Sequence, residues 1–207
     1  MRRPGVLKSL ALKPLAALAA LAAATLASGA AQAQLFNLDP LTRTDVQQYE
    51  EGRAKATPIP REVVASPGRY APGTVIVSTE ERRLYYVLPD GKAIRYGAGV
   101  GRPGFTWGGT KAITRKAEWP GWTPPPQMLK RRPDLPRHMV GGPDNPLGAR
   151  ALYLGSSLYR IHGSNEPDTI GQAVSSGCIR MLNEDVVDLY SRVRVGTKVV
   201  VVRGPML

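Results

Sequence analysis

Cysteine is almost missing from this sequence: its 207 residues hold one, Cys178, and only two histidines. A lone thiol closes no internal disulfide, so the fold rests on its hydrophobic core. Two histidines and one cysteine, with no H-x-x-x-H pair, are too few soft ligands for a structural zinc, so neither a metal nor another cofactor is expected. Long apolar runs are also scarce. The longest, residues 15–27, has 13 residues, short of the ~20 that cross a bilayer as a helix. The glycine-rich segment 96–104, YGAGVGRPG, puts Arg102 where the third glycine of G-x-G-x-x-G should stand. Pro103 and Gly104 open no helix for a pyrophosphate, so the segment reads as a strand end and tight loop.

Acidic residues are the minority charge, 16 against 28 basic. Four of the basic ones, Arg2, Arg3, Lys8 and Lys13, precede the apolar run, which closes on Ala31-Gln32-Ala33. That is the layout of a secretory signal peptide over residues 1–33, and it places the protein in an exported compartment, with no stable membrane insertion of the mature chain. Residues 34–207 keep 24 basic and 16 acidic side chains. This excess suits a polyanionic surface such as a carboxylate-rich cell wall. Nucleic acid is not an expected partner: export argues against it, and there is no basic amphipathic helix, C-x-x-C pair or aromatic RNA-binding run. A solvated surface accounts for most of the charge.

Residues 34–72 are polar and interrupted by Pro40, Pro58, Pro60, Pro67 and Pro72, which reads as a linker or tether. From Gly73 the pattern changes. Residues 74–78, 84–87 and 93–96, with Asp90-Gly91 turning between the last two, form a β-meander. Residues 111–116, 151–154, 158–162 and 198–202 continue the strands, and the closing valine run suits a strand buried on both faces. One helix follows the cysteine: Asn183 can cap it, Glu184 and Asp185 complement its dipole, and Val186, Leu189, Tyr190 and Val193 recur at helical spacing. Between Trp119 and Gly148 lies a proline- and glycine-rich loop whose length points to a lid or binding loop. Trp119, Trp122 and His138 in it are candidates to line a groove, with packing or solvation as the plain alternative. The fold expected is one mainly β domain over residues 73–203, with mixed strands and a short helix after the cysteine.

Cys178 sits in SSGCIRM, 16 residues after Ile161-His162-Gly163. A thiol near its usual pKa of ~8.5 needs a base or a positive neighbour to act as a nucleophile. His162 and Arg180 are the candidates. Gly177 permits a tight turn whose amides face an attacked carbonyl, and Ser175 and Ser176 complete the turn. In an exported chain a leftover cysteine is an intermolecular bridge or a reactive thiol, and spacing alone does not decide for a catalytic role of Cys178 with His162.

The segment HGSNEPDTIGQAVSSGCIRM, residues 162–181, resembles the signature of the L,D-transpeptidase catalytic domain family, the YkuD or ErfK/YbiS type. His162, Gly163, Ser175, Gly177, Cys178 and Arg180 fall on its pattern, and the resemblance runs over roughly residues 73–202. Two positions depart from it: Ser176 replaces a common histidine, and residues 106–109, TWGG, replace a T-P-x-G turn. The resemblance implies an L,D-transpeptidase-type β-sandwich. It also implies a cysteine acyl-enzyme on Cys178, with His162 as base oriented by the Gly163 carbonyl, Arg180 pairing with a carboxylate, and peptidoglycan stem peptides as partners. The product would be a 3→3 cross-link, with D-alanine released, in the periplasm. Water or a protein amine as acceptor, giving a carboxypeptidase, an amidase or a wall-anchoring enzyme, stays open, as does a non-catalytic wall-binding protein. Oligomeric state is not legible.

Overall fold

The computed structural model describes residues 59–204 and 206; the segments read as signal peptide and most of the tether lie outside them. Strands β2 (Val75–Ser78), β3 (Arg83–Val87) and β4 (Lys92–Gly97) form the expected meander. Asp90 and Gly91 both take positive φ, 60° and 67°, the tight hairpin geometry that matches strand twist. Ahead of them β1 (Glu62–Ala65) pairs antiparallel with β4. The described end of the segment read as a tether is therefore part of the sheet: Val63 and Val64 supply strand character that the surrounding prolines mask.

The sheet has nine strands in the order β1-β4-β3-β2-β11-β6-β7-β8-β10. Here β6 is Gly109–Glu118, β7 Arg150–Leu154, β8 Arg160–His162, β10 Ile179–Arg180 and β11 Lys198–Val202; β5 (Val100–Gly101) and β9 (Ala173–Ser175) form a separate parallel pair. β6 carries the architecture. Its first residues pair with β11 and its last with β7, with a register shift between Ile113 and Arg115. One strand thus serves both halves of the sheet. Val75, Val77, Leu84, Tyr96, Val199 and Val201 from one half share a buried core with Leu152, Leu154, Ile161 and Ile179 from the other. β11 pairs parallel with β2, and β10 parallel with β8, so the sheet is mixed.

The valine run corrects the sequence expectation in part. Val199 and Val201 are buried, whereas Val200 and Val202 are half-buried on the opposite face. That face carries a smaller cluster of Ile76, Tyr85, Val87 and Ala93, less complete than the main core.

The long segment 119–148 contains one short helix, α1 (Pro126–Arg131), with no buried residue, and a bridge between Trp122 and Met139. Helix α2 (Asn183–Arg192) follows the cysteine as expected and buries Val186 and Leu189. Its C-terminal end is held by Lys116, whose ammonium donates to the Tyr190 and Val193 carbonyls, each at 2.7 Å. The capping role given to Asn183 is wrong. Leu182 is the cap residue, with no side-chain cap bond, and Asn183 is the first helical residue, its side chain turned inward. Among the described residues no helix is long and apolar enough to cross a membrane.

Candidate active site

β8 and β10 lie side by side and parallel, with Ile161 beside Ile179 and His162 beside Arg180. Ile161 and Ile179 face the core, at 0% and 2% exposure. Strand alternation sends His162 and Arg180 to the other face, and Cys178 immediately precedes β10. Cys178 is partly exposed, and its thiol donates to the Leu158 carbonyl at 3.6 Å.

His162 is buried, and its Nδ1 lies 2.6 Å from the Gly163 carbonyl. A carbonyl only accepts, so Nδ1 carries the proton and Nε2 keeps its lone pair. Burial, aided by the charges of Arg180 and Arg160 and opposed by the Gly163 bond, drives the imidazole pKa down to about 3. The ring is neutral at neutral pH: a proton acceptor in a positive setting.

The cysteine turn is built from both sides. Ser175, itself buried, donates from Oγ to the Cys178 carbonyl at 2.6 Å and accepts from the Gly177 N–H at 3.1 Å. The Gly177 amide, expected to face an attacked carbonyl, is thereby engaged within the turn. Gly177 has φ 106°, and a Cβ there would lie 2.6 Å from Tyr159 Cε1, so any other residue is both strained and crowded. Trp107 stacks on Tyr159, ring centroids 4.5 Å apart and planes 5° from parallel. Its indole N–H donates to the Gly177 carbonyl at 2.7 Å. The TWGG departure thus supplies the anchor of the cysteine loop. Ser176 Oγ accepts from Arg102 at 3.3 Å, and that guanidinium lies 4.2 Å from the centroid of the Phe105 ring.

Asn183 is a second residue that sequence reasoning misassigned. Its Oδ1 accepts from the Ala149 and Ser164 N–H groups at 2.9 and 3.3 Å, and its Nδ2 donates to the Ser164 carbonyl at 3.0 Å. A Cβ at Gly148 or Gly163 would run into Asn183 Oδ1. The close approach of the two loops to this amide therefore requires glycine at both positions, and it fixes the carbonyl that orients His162.

Arg180 is neither a free surface charge nor an empty carboxylate receptor. Its Nη1 is 2.7 Å from Glu166 Oε2 and 3.3 Å from Thr169 Oγ1. The hydrogen bonds of Trp119, Trp122 and His138 run within the 119–148 segment, or to Ala149 in the case of Trp119. Among the described residues no three His, Cys, Asp or Glu side chains group as metal ligands.

A partly exposed thiol at the entry to β10 and a neutral imidazole on the neighbouring β8 are the reactive groups of this region. Residues 72–201 match the YkuD family, the L,D-transpeptidase catalytic domain, and the chain belongs to that family. It is 40% identical over 141 residues to "Probable L,D-transpeptidase ErfK/SrfK" of Escherichia coli K12, covering 64% of this chain and 44% of that one. To "Probable L,D-transpeptidase YbiS" of the same strain it is 38% identical over 156 residues, covering 72% and 50%. The chain spans about half the length of these curated relatives. Its fold is similar to that of an L,D-transpeptidase from Mycobacterium smegmatis, with TM-score 0.51 and 17% identity over 62% of this chain and 58% of that one.

Proposed function

We infer that the protein is an exported peptidoglycan L,D-transpeptidase acting in the periplasm through Cys178. The observation that carries this reading is a partly exposed thiol at the entry to β10, the strand paired with β8, whose His162 has its Nδ1 proton fixed on Gly163. Nε2 of His162 takes the thiol proton as sulfur attacks the carbonyl between the third and fourth residues of a stem tetrapeptide. With the Gly177 amide given to Ser175, the oxyanion falls to the N–H of Cys178 itself. The carbon–nitrogen bond breaks, the leaving D-alanine amine collects the proton from His162, and a thioester remains. An amine from a second stem attacks the thioester, passes its proton to His162 and returns the thiol, giving a 3→3 link. The charges of Arg180 and Arg160 help to keep the His162 imidazole unprotonated and ready to accept. Residues 1–33 act as the export signal, and the segment read as a tether, ahead of β1, links it to the catalytic domain.

The test is mass analysis of the protein incubated with a purified tetrapeptide muropeptide, with and without a second stem as amine acceptor. The expected result is an acyl adduct on Cys178 with loss of D-alanine, then dimeric product, and neither with Cys178→Ala. Tripeptide as the sole product would make water the acceptor and the protein a carboxypeptidase. A link to a protein amine would make it an anchoring enzyme. No adduct on the wild type would leave a wall-binding protein.

A further inference from the structure

One charged partner of Arg180 has no task in this mechanism. Glu166 is more than half exposed, yet its carboxylate meets Arg180 at 2.7 Å. The backbone that carries each charge is tied down. The Glu166 N–H donates to Ser164 Oγ at 3.0 Å, and the Glu166 carbonyl accepts from Thr169 Oγ1 at 2.7 Å. Ser164 is itself buried and tied to Asn183 on both sides of its main chain. Arg180 exchanges both main-chain hydrogen bonds with Gly99, at 2.9 and 2.8 Å. Both charges therefore stand on tied backbone, with the Arg180 Cα two residues on from Cys178, roughly 6–7 Å along an extended chain, and Glu166 held against the guanidinium.

A lone arginine there would accept any carboxylate. Beside a fixed Glu166, a carboxylate arriving at the guanidinium meets a like charge, unless it brings a cation of its own. A group with an ammonium and a carboxylate on one carbon meets both demands, its carboxylate on Arg180 and its ammonium on Glu166, so that charges alternate around the four groups. Resting on the transpeptidase reading, we propose that the Glu166–Arg180 pair reads an amino-acid zwitterion on the donor stem: the free α-amino-acid end of a diamino dicarboxylic acid at the third position. No bond is made or broken at this pair; it sets which donors reach the thiol.

Two tetrapeptide donors separate the possibilities, one with that zwitterionic end and one with its side-chain amine acetylated, which keeps only the carboxylate. The rate of acyl adduct formation on Cys178 is followed by intact mass under single-turnover conditions. The wild type acylates about tenfold faster with the zwitterion, the worth of one charge-assisted hydrogen bond. Glu166→Gln slows the zwitterion and speeds the acetylated donor, bringing the two within about threefold. Equal rates for both donors on the wild type overturn the proposal without any variant. Loss of both donors alike in a folded Glu166→Gln protein makes the pair structural, and a gain for both makes Glu166 a plug; each outcome overturns it. No adduct with any donor defeats the parent reading instead.

Discussion

Replacing Trp107 by phenylalanine isolates the one side-chain bond that pins the Gly177 carbonyl. The ring change keeps an aromatic face for Tyr159, at 4.5 Å in the native stack, and deletes the 2.7 Å indole bond to Gly177. The net hydrogen bond is worth about 1 kcal/mol, and stranding a carbonyl in a buried place adds a similar amount. The expected loss of stability is thus about 1–2 kcal/mol, a fall of roughly 3–8 °C in Tm for a domain of this size. Because Gly177 immediately precedes the nucleophile, acylation should fall several-fold even at 15 °C, where both proteins are fully folded. Trp107→Ala removes the stack as well and should cost about 3–5 kcal/mol. Circular dichroism melts, with intact-mass timing of the Cys178 adduct, read both effects. A phenylalanine variant within 0.3 kcal/mol of the parent, with an unchanged acylation rate, would refute the anchoring argument and leave the loop to Ser175 and the Arg102 bond to Ser176.

Asp185 is buried, with Oδ2 unpartnered and Arg61 at 3.7 Å from Oδ1. Burial, opposed by Arg61 and helped by Glu184 and Asp188, pushes its pKa up to about 7. The folded state then holds this proton more tightly than the unfolded chain does, so its contribution is present below about pH 4 and lost as pH rises to about 7, up to roughly 4 kcal/mol. His162 works the other way: with its value driven down to about 3, stability rises with pH from there to about 6.5. Urea midpoints of Asp185→Asn between pH 4 and 7 should therefore climb more steeply with pH than those of the wild type; parallel curves would contradict the assignment. The pH dependence of kcat/KM should show no acid limb near 6.5, since His162 is already neutral there, and a limb at that value would show an imidazole titrating outside this environment. Asn183→Ala strands Ala149 and Ser164 main-chain groups, and should lower stability by about 3–5 kcal/mol and kcat more than KM.

The parts of this fold that sequence reveals are those written in local periodicity. The meander, the Asp90-Gly91 turn, the helix after Cys178 and the HG and SxGCxR motifs all announce themselves within a dozen residues. Partners far apart in the chain do not. Trp107 sits 70 residues before the carbonyl it holds, and its only signal is a tryptophan isolated among glycines. Asn183 looks like a helix cap because the local rule for asparagine is strong; the buried amides of Ala149 and Ser164 outbid that rule, and only the fold brings them there. Glu166 lies in a variable loop with no pattern of its own. Val63 and Val64 were obscured by nearby prolines, which mark bends without saying that two valines between them complete a sheet.

The order of strands carries a consequence for how the molecule comes into being. β11, last of the described strands in the chain, is wedged between β2 and β6, with Val199 beside Val75 across 124 positions. A polypeptide emerging amino end first holds its early hairpins on one side and β6 to β10 on the other, with no ladder between β2 and β6, until this final segment arrives to close the seam. Clipping residues 198–202 would therefore split the sheet down its middle, between the meander and the strands around Cys178.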